Sequence, residues 1–125
     1  MNAPTEAVAL KIGDIWQGGI YAGRSIHENE PVELVLLPEK FCGNWKDATA
    51  WADKQGGTLP SRIDLLVLWQ NLRDKFERDW YWSGEQYAGA ASFAWCQDFA
   101  NGGQITTLQD YELRARAVRR YPFAH

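Results

Sequence analysis

A chain of 125 residues fits one domain, and a domain of that size buries enough surface for a core without disulfide staples. Its formal net charge of −3 argues against a nucleic-acid binder that works by neutralising phosphates, and no apolar run reaches the length of a membrane span. The unusual count is aromatic: seven Trp beside five Tyr and five Phe, enough to fill a core and still leave rings at the surface.

Residues 1–10 read as a flexible N-terminal arm. With Glu6 and no basic start before a long apolar stretch, they do not read as a secretory signal, so the expected location is the cytoplasm of a host cell or a phage virion assembled there. Residues 11–125 then read as a single domain. Gly13-Asp14 and Gly18-Gly19 punctuate short strands between Ile12 and Tyr21, and His27 to Pro31 reads as a hairpin loop. Val32 to Leu37 is a buried strand that Pro38 should end.

Asn44 is placed to cap a helix over Trp45 to Lys54, which Gly56-Gly57 closes. Ser61 and Asp64 form a capping box for a second helix over Arg62 to Phe76, with Leu65, Leu68, Trp69, Leu72 and Phe76 at helical spacing. Trp80-Tyr81-Trp82 then reads as a strand and Tyr87 to Ala91 as a loop. From Phe93 to Phe99 the chain alternates, with Phe93, Trp95, Gln97 and Phe99 on one side and Ala94, Cys96 and Asp98 on the other. Asn101-Gly102-Gly103 is a turn, and Leu113 to Arg120 alternates again, with Ala115 and Ala117 opposite Arg114, Arg116 and Val118. Strands, two helices and more strands make an α+β pattern.

Chemistry is sparse. His27 reads as a solvated loop residue and His125 stands at the terminus, so neither marks a general base. Asp14, Glu28, Glu30 and Glu33 lack the spacing of a calcium loop and read as solvated charge. Cys42 and Cys96 stand far apart without metal-binding spacing and read as two buried free thiols. No nucleotide, zinc or serine-hydrolase motif occurs, and neither a cofactor nor a metal is expected. Arg114, Arg116, Arg119 and Arg120 read as partners in an ion-pair network, given 16 Asp and Glu.

Four segments carry a resemblance. Gly56-Gly57-Thr58-Leu59-Pro60-Ser61-Arg62-Ile63-Asp64-Leu65-Leu66, Tyr81-Trp82-Ser83, Ala94-Trp95-Cys96-Gln97-Asp98-Phe99 and Arg114-Ala115-Arg116-Ala117-Val118-Arg119 occur in that order. Together they resemble the family named for the C-terminal domain of a collagen-like bacterial adhesin, whose pattern runs G-G-W-R-L-P-(T/S)-x-x-E-L, Y-W-S-S, A-W-x-x-x-F and R-x-V-R. The likeness spans about Gly43 to Arg120, and Gly18-Gly19-Ile20-Tyr21-Ala22-Gly23 is similar to stand-alone members from phages and prophages. Departures are Gly57-Thr58 in place of W-R, and Gly84 in place of the second Ser. The copper-binding cysteine pair of the related formylglycine-generating enzymes has no counterpart.

The resemblance implies a C-type-lectin-like fold, with two helices packed on short antiparallel sheets. It further implies a non-enzymatic phage or prophage binding module that recognises a protein or glycan ligand. A second reading is an intracellular phage accessory protein that binds and inhibits a host defence factor; an enzyme related to the formylglycine-generating enzymes is the third. The polar, turn-rich segment from Asn101 to Tyr111 occupies the place where related lectin-like proteins display ligand contacts, so Gln97, Asn101, Gln104, Thr106, Gln109 and Tyr111 are the expected ligand-binding residues. Exposed aromatics on such a domain also leave room for a homo-oligomer.

Overall fold

Seven strands carry the structure, which is a computed structural model describing residues 9–123. They are β1 (Ile15–Trp16), β2 (Gly19–His27), β3 (Glu30–Gly43), β4 (Trp80–Gln86), β5 (Phe93–Asp98), β6 (Gln104–Leu108) and β7 (Leu113–Pro122). Their spatial order is β1-β2-β3-β7-β4-β5-β6. Every neighbouring pair is antiparallel except β4 and β7, which meet in one parallel pair, Tyr81 and Arg114. Two antiparallel ladders, β1-β2-β3-β7 and β4-β5-β6, therefore share a single seam and form one mixed sheet. Helices α1 (Trp45–Lys54) and α2 (Arg62–Leu72) complete an α+β domain. Among the described residues no helix is long and apolar enough to cross a membrane.

Side chains on a strand point alternately to the two faces of its sheet, and here that alternation sorts the core into two clusters. Leu34, Leu36, Tyr81 and Val118 join Leu65, Leu68 and Leu72 of α2. Their strand neighbours Val35, Leu37, Trp82, Ala115 and Ala117 join Ala48 and Ala52 of α1. The helices therefore cover opposite faces of β3, β7 and β4, which explains why Val32–Leu37, Ala115–Val118 and Tyr81–Ser83 are buried without interruption. Phe76 stacks on Phe99 at 4.1 Å within the α2 cluster. In the α1 cluster the fully buried Trp82 donates its indole N–H to Gly43 O at 2.9 Å. None of the seven Trp is fully exposed, so the aromatic surplus goes into the core and its margins.

Local signals place the helices as expected. Asn44 Oδ1 accepts from Asp47 N–H, and α1 closes with Gly56 N–H donating to Asp53 O and Gly57 N–H to Ala52 O. Gly56 supplies the positive φ of 78° that this closing motif requires. Ser61 and Asp64 cap each other reciprocally at the start of α2.

Other expectations need correction. β3 does not end at Pro38 but runs on to Gly43: the ladder to β7 shifts register between Leu36 and Lys40, and a proline in such an irregularity withholds no needed N–H. The α-helix ends at Leu72, and a 3-10 turn over Arg73–Lys75 brings Phe76 into the core instead. The hairpin expected over His27 to Pro31 is present, but its loop is shorter. β2 and β3 pair through His27 and Glu30 around a two-residue turn, Glu28-Asn29. Glu33 is buried rather than solvated, accepting from Tyr21 Oη at 2.6 Å, while Asp14, Glu28 and Glu30 are exposed. Cys96 is buried, but Cys42 is exposed near the end of β3. The arm expected over 1–10 falls, up to residue 8, outside the described residues, as does His125.

Candidate functional site

The segment expected to present ligand contacts is not one continuous loop, since β6 runs through its middle. Gln97 lies fully buried, its Nε2 donating to Leu65 O at 2.9 Å and its Oε1 accepting from Gln104 Nε2 at 2.7 Å. Gln104 Nε2 also donates to Arg62 O at 2.8 Å, and its Oε1 accepts from Arg62 Nε at 3.0 Å. These two glutamines fasten the first turns of α2 to β5 and β6. Gln109 Nε2 donates to Ala91 O and Phe93 O, while its backbone carbonyl accepts from Trp45 N–H. Asn101 Oδ1 accepts from Gly103 N–H and shapes the β5–β6 turn.

Thr106 shares a strand face with Gln104, whereas Tyr111, 54% exposed, lines a small hollow with Ile105 and Thr107 on the opposite face. The six residues therefore do not converge on one ligand surface. The amide groups of Gln97, Gln104 and Gln109 are engaged within the fold. A polar side chain in an alternating strand reads as exposed, yet each of these amides finds backbone partners.

A concave surface lies elsewhere. A groove of about 540 Å³ opens between the β2–β3 hairpin, the C-terminal half of α1, the α1–α2 connection and Gly84-Glu85 of β4. Two adjoining hollows share His27 and Arg120 with it. Ile26, Leu59 and Ile63 supply apolar surface, and both isoleucines are exposed. Glu28, Asp53 and Glu85 bring carboxylates to its lining, and His27 lies beside Glu28 with Nε2 3.8 Å from Oε2. Glu85 Oε2 accepts from Arg62 N–H at 2.7 Å, at the positive end of α2.

Arg120, the groove's one arginine, is already neutralised. Its Nε and Nη2 donate to Asp64 Oδ2 at 2.9 and 2.6 Å, and its Nη1 donates to Thr58 Oγ1 at 3.1 Å. Asp64, fully buried, also accepts from Ser25 Oγ at 2.6 Å and Ser61 N–H at 3.0 Å. With Asp64 balancing Arg120, the remaining charge of the groove is that of its carboxylates. Electrostatically, it suits a cation.

The rest of the arginine run is structural too, though only partly through ion pairs. Arg114 pairs with Asp79 at 2.9 Å, while Arg119 Nε donates to Gly56 O at 2.7 Å. Arg116, buried, donates to Lys75 O and Leu37 O, with its Nε unpartnered. Burial holds its pKa below the ordinary guanidinium value. Away from the groove, burial pushes the Cys96 thiol up to about 12. Burial, with the hydrogen bond to Glu33, pushes Tyr21 up to about 12. Among the described residues no three His, Cys, Asp or Glu side chains converge as metal ligands.

Sequence reasoning missed the groove because its lining is scattered along the chain, at 26–28, 49–63, 84–85 and 120. One signal was present. In Gly56-Gly57-Thr58-Leu59-Pro60-Ser61, a Cβ on Gly57 would lie 2.4 Å from Val118 O, so glycine lets this connection press against β7. Thr58 and Val118 then exchange both backbone hydrogen bonds, at 2.9 and 2.8 Å. The motif that starts α2 also builds the wall of the groove. No protein-family model matches this chain, and no curated protein matches it.

Proposed function

We propose that the chain is a binding domain with a C-type-lectin-like fold, and that its groove takes a protein ligand presenting a Lys or Arg side chain among aliphatic ones. The observation that carries this reading is the combination of Ile26, Leu59 and Ile63 with the carboxylates of Glu28, Asp53 and Glu85, beside an Arg120 held by Asp64. A basic side chain has an apolar stem and a charged tip, and such a lining offers a place for each. A glycan ligand is less favoured, because sugars stack on Trp, Tyr and Phe rings and none of these lines the groove. The lectin-like assignment draws support from the two helices and the two antiparallel ladders, together with the ordered motifs in the sequence. A phage or prophage source is what the sequence resemblance favours.

The test is binding of the purified chain to an array of short peptides, basic-aliphatic, acidic and neutral, alongside a glycan array. Basic-aliphatic peptides are expected to bind, more weakly as salt rises. Glu28→Lys combined with Asp53→Lys should lower affinity by about tenfold or more, a loss of roughly 1.4 kcal/mol. Binding to glycans alone, or peptide binding indifferent to the double reversal, overturns the reading.

A further inference from the structure

β6 forms one edge of the sheet, and its register determines which backbone groups face outward. Asp98 N–H donates to Gly103 O at 2.8 Å at one end of the β5–β6 ladder, and Gln109 N–H donates to Ser92 O at 2.9 Å at the other. Hydrogen-bonded pairs alternate along an antiparallel ladder. Ile105 and Thr107 therefore bond to β5, and Gln104, Thr106 and Leu108 turn their backbone groups the other way. Tyr111 N–H occupies the Leu108 carbonyl at 3.2 Å. The N–H and C=O of Gln104 and Thr106, with the N–H of Leu108, face the open edge.

Natural edge strands are commonly protected by a charge, a proline, a bulge or brevity. At the other edge, β1 is only two residues long. β6 has none of these protections: Gln-Ile-Thr-Thr-Leu is uncharged and regularly paired, with Ile105 48% and Leu108 36% exposed. Its edge is also preformed, because Gln104 is held from behind by Gln97 and Arg62.

We infer that β6 is an interface for a second copy of this chain, whose own β6 adds antiparallel across a two-fold axis at Thr106. Donors and acceptors repeating every second residue fit an extended strand. A second copy supplies one with suitable neighbours: Thr106 faces Thr106, Gln104 faces Leu108, and Ile105 faces Thr107. Thr–Thr contacts across strands are favourable, and no charged side chain of β6 meets its like even though each chain carries a net charge of −3. Such a contact is isologous and closes at two copies. It does not depend on the groove, which takes no residue from β6.

Sedimentation of the full chain from low-micromolar to millimolar concentration tests this, with the mass expected to rise from one chain to two. Thr106→Lys and Thr106→Glu should each remain at the mass of one chain, because the axis sets like charges directly opposite. Mixing the two variants should restore the mass of two chains. Thr106→Pro, which removes an outward N–H and leaves the ladder to β5 intact, should also stay single while keeping the wild-type far-ultraviolet spectrum. A wild type that remains single at millimolar concentration overturns the inference. So does a double mass that persists in Thr106→Lys, a mixture that fails to recover it, or growth beyond two chains.

Discussion

Donors from three residues converge on the Asp64 carboxyl group: Ser25 from β2, the backbone N–H of Ser61 through the capping box, and Arg120 from β7. A buried carboxylate is tolerable only because those donors replace its hydration. Asp64→Ala should therefore do more than uncap α2, because it strands Arg120 in a largely buried position. A loss of about 3 to 5 kcal/mol in urea unfolding is expected, against about 1 kcal/mol for Asn44→Ala at the exposed cap of α1. The two thiols should also separate cleanly. An alkylating reagent at neutral pH should modify Cys42 in the native chain and reach Cys96 only on unfolding, as counted by mass spectrometry, because burial holds the Cys96 thiol protonated up to about 12. Alkali should act through the same burial. Cys96 and Tyr21 have folded pKa values above their ordinary 9.0 and 10.0, so the stability they contribute is whole below about pH 9 and is lost as pH rises toward 12. The urea midpoint should fall over that window, and fall less in Cys96→Ala.

At the scale of elements, what was legible in the sequence was what is written locally. Asn44, Ser61-Asp64 and Gly56 fix three helix ends within a few residues of themselves, so both helices were readable apart from the 3-10 turn that follows α2. The course of β3 past Pro38 was not, because it depends on a register shift against β7, some eighty positions away. Nor was the burial of Gln97. Alternation assigns it to a face, but only the arrival of α2 turns that face inward. The groove was illegible for the same reason, since four separated stretches of chain meet there. Its hairpin carries a local cost. Glu28 and Asn29 adopt φ of 52° and 66°, which suits the twist of a two-residue hairpin but is strained for a Glu side chain. Glu28→Gly should raise stability by about 1 kcal/mol while weakening any ligand that uses the Glu28 carboxylate. Paired thermal melts and peptide titrations check both signs together.

For the whole molecule, the decisive fact is that β3, β7 and β4 present one core on each face. Neither helix can dissociate without exposing side chains whose strand neighbours hold the other. Unfolding should therefore be a single step. Transitions followed by far-ultraviolet dichroism and by fluorescence from the tryptophans should coincide, and a second transition would show the two ladders to be separable at their one-pair seam. The strand order has a consequence for synthesis. β7, the last strand in sequence, lies between β3 and β4, and its Ala115, Ala117 and Val118 reach both cores. A nascent chain still lacking Leu113–Pro122 can form its helices and hairpins but cannot close either face. Until that segment leaves the ribosome, the unfinished chain exposes β3 along the side meant for β7, an apolar edge open to chaperones and to neighbouring chains. Folding of this domain is thus bound to follow translation of its final strand rather than accompany it.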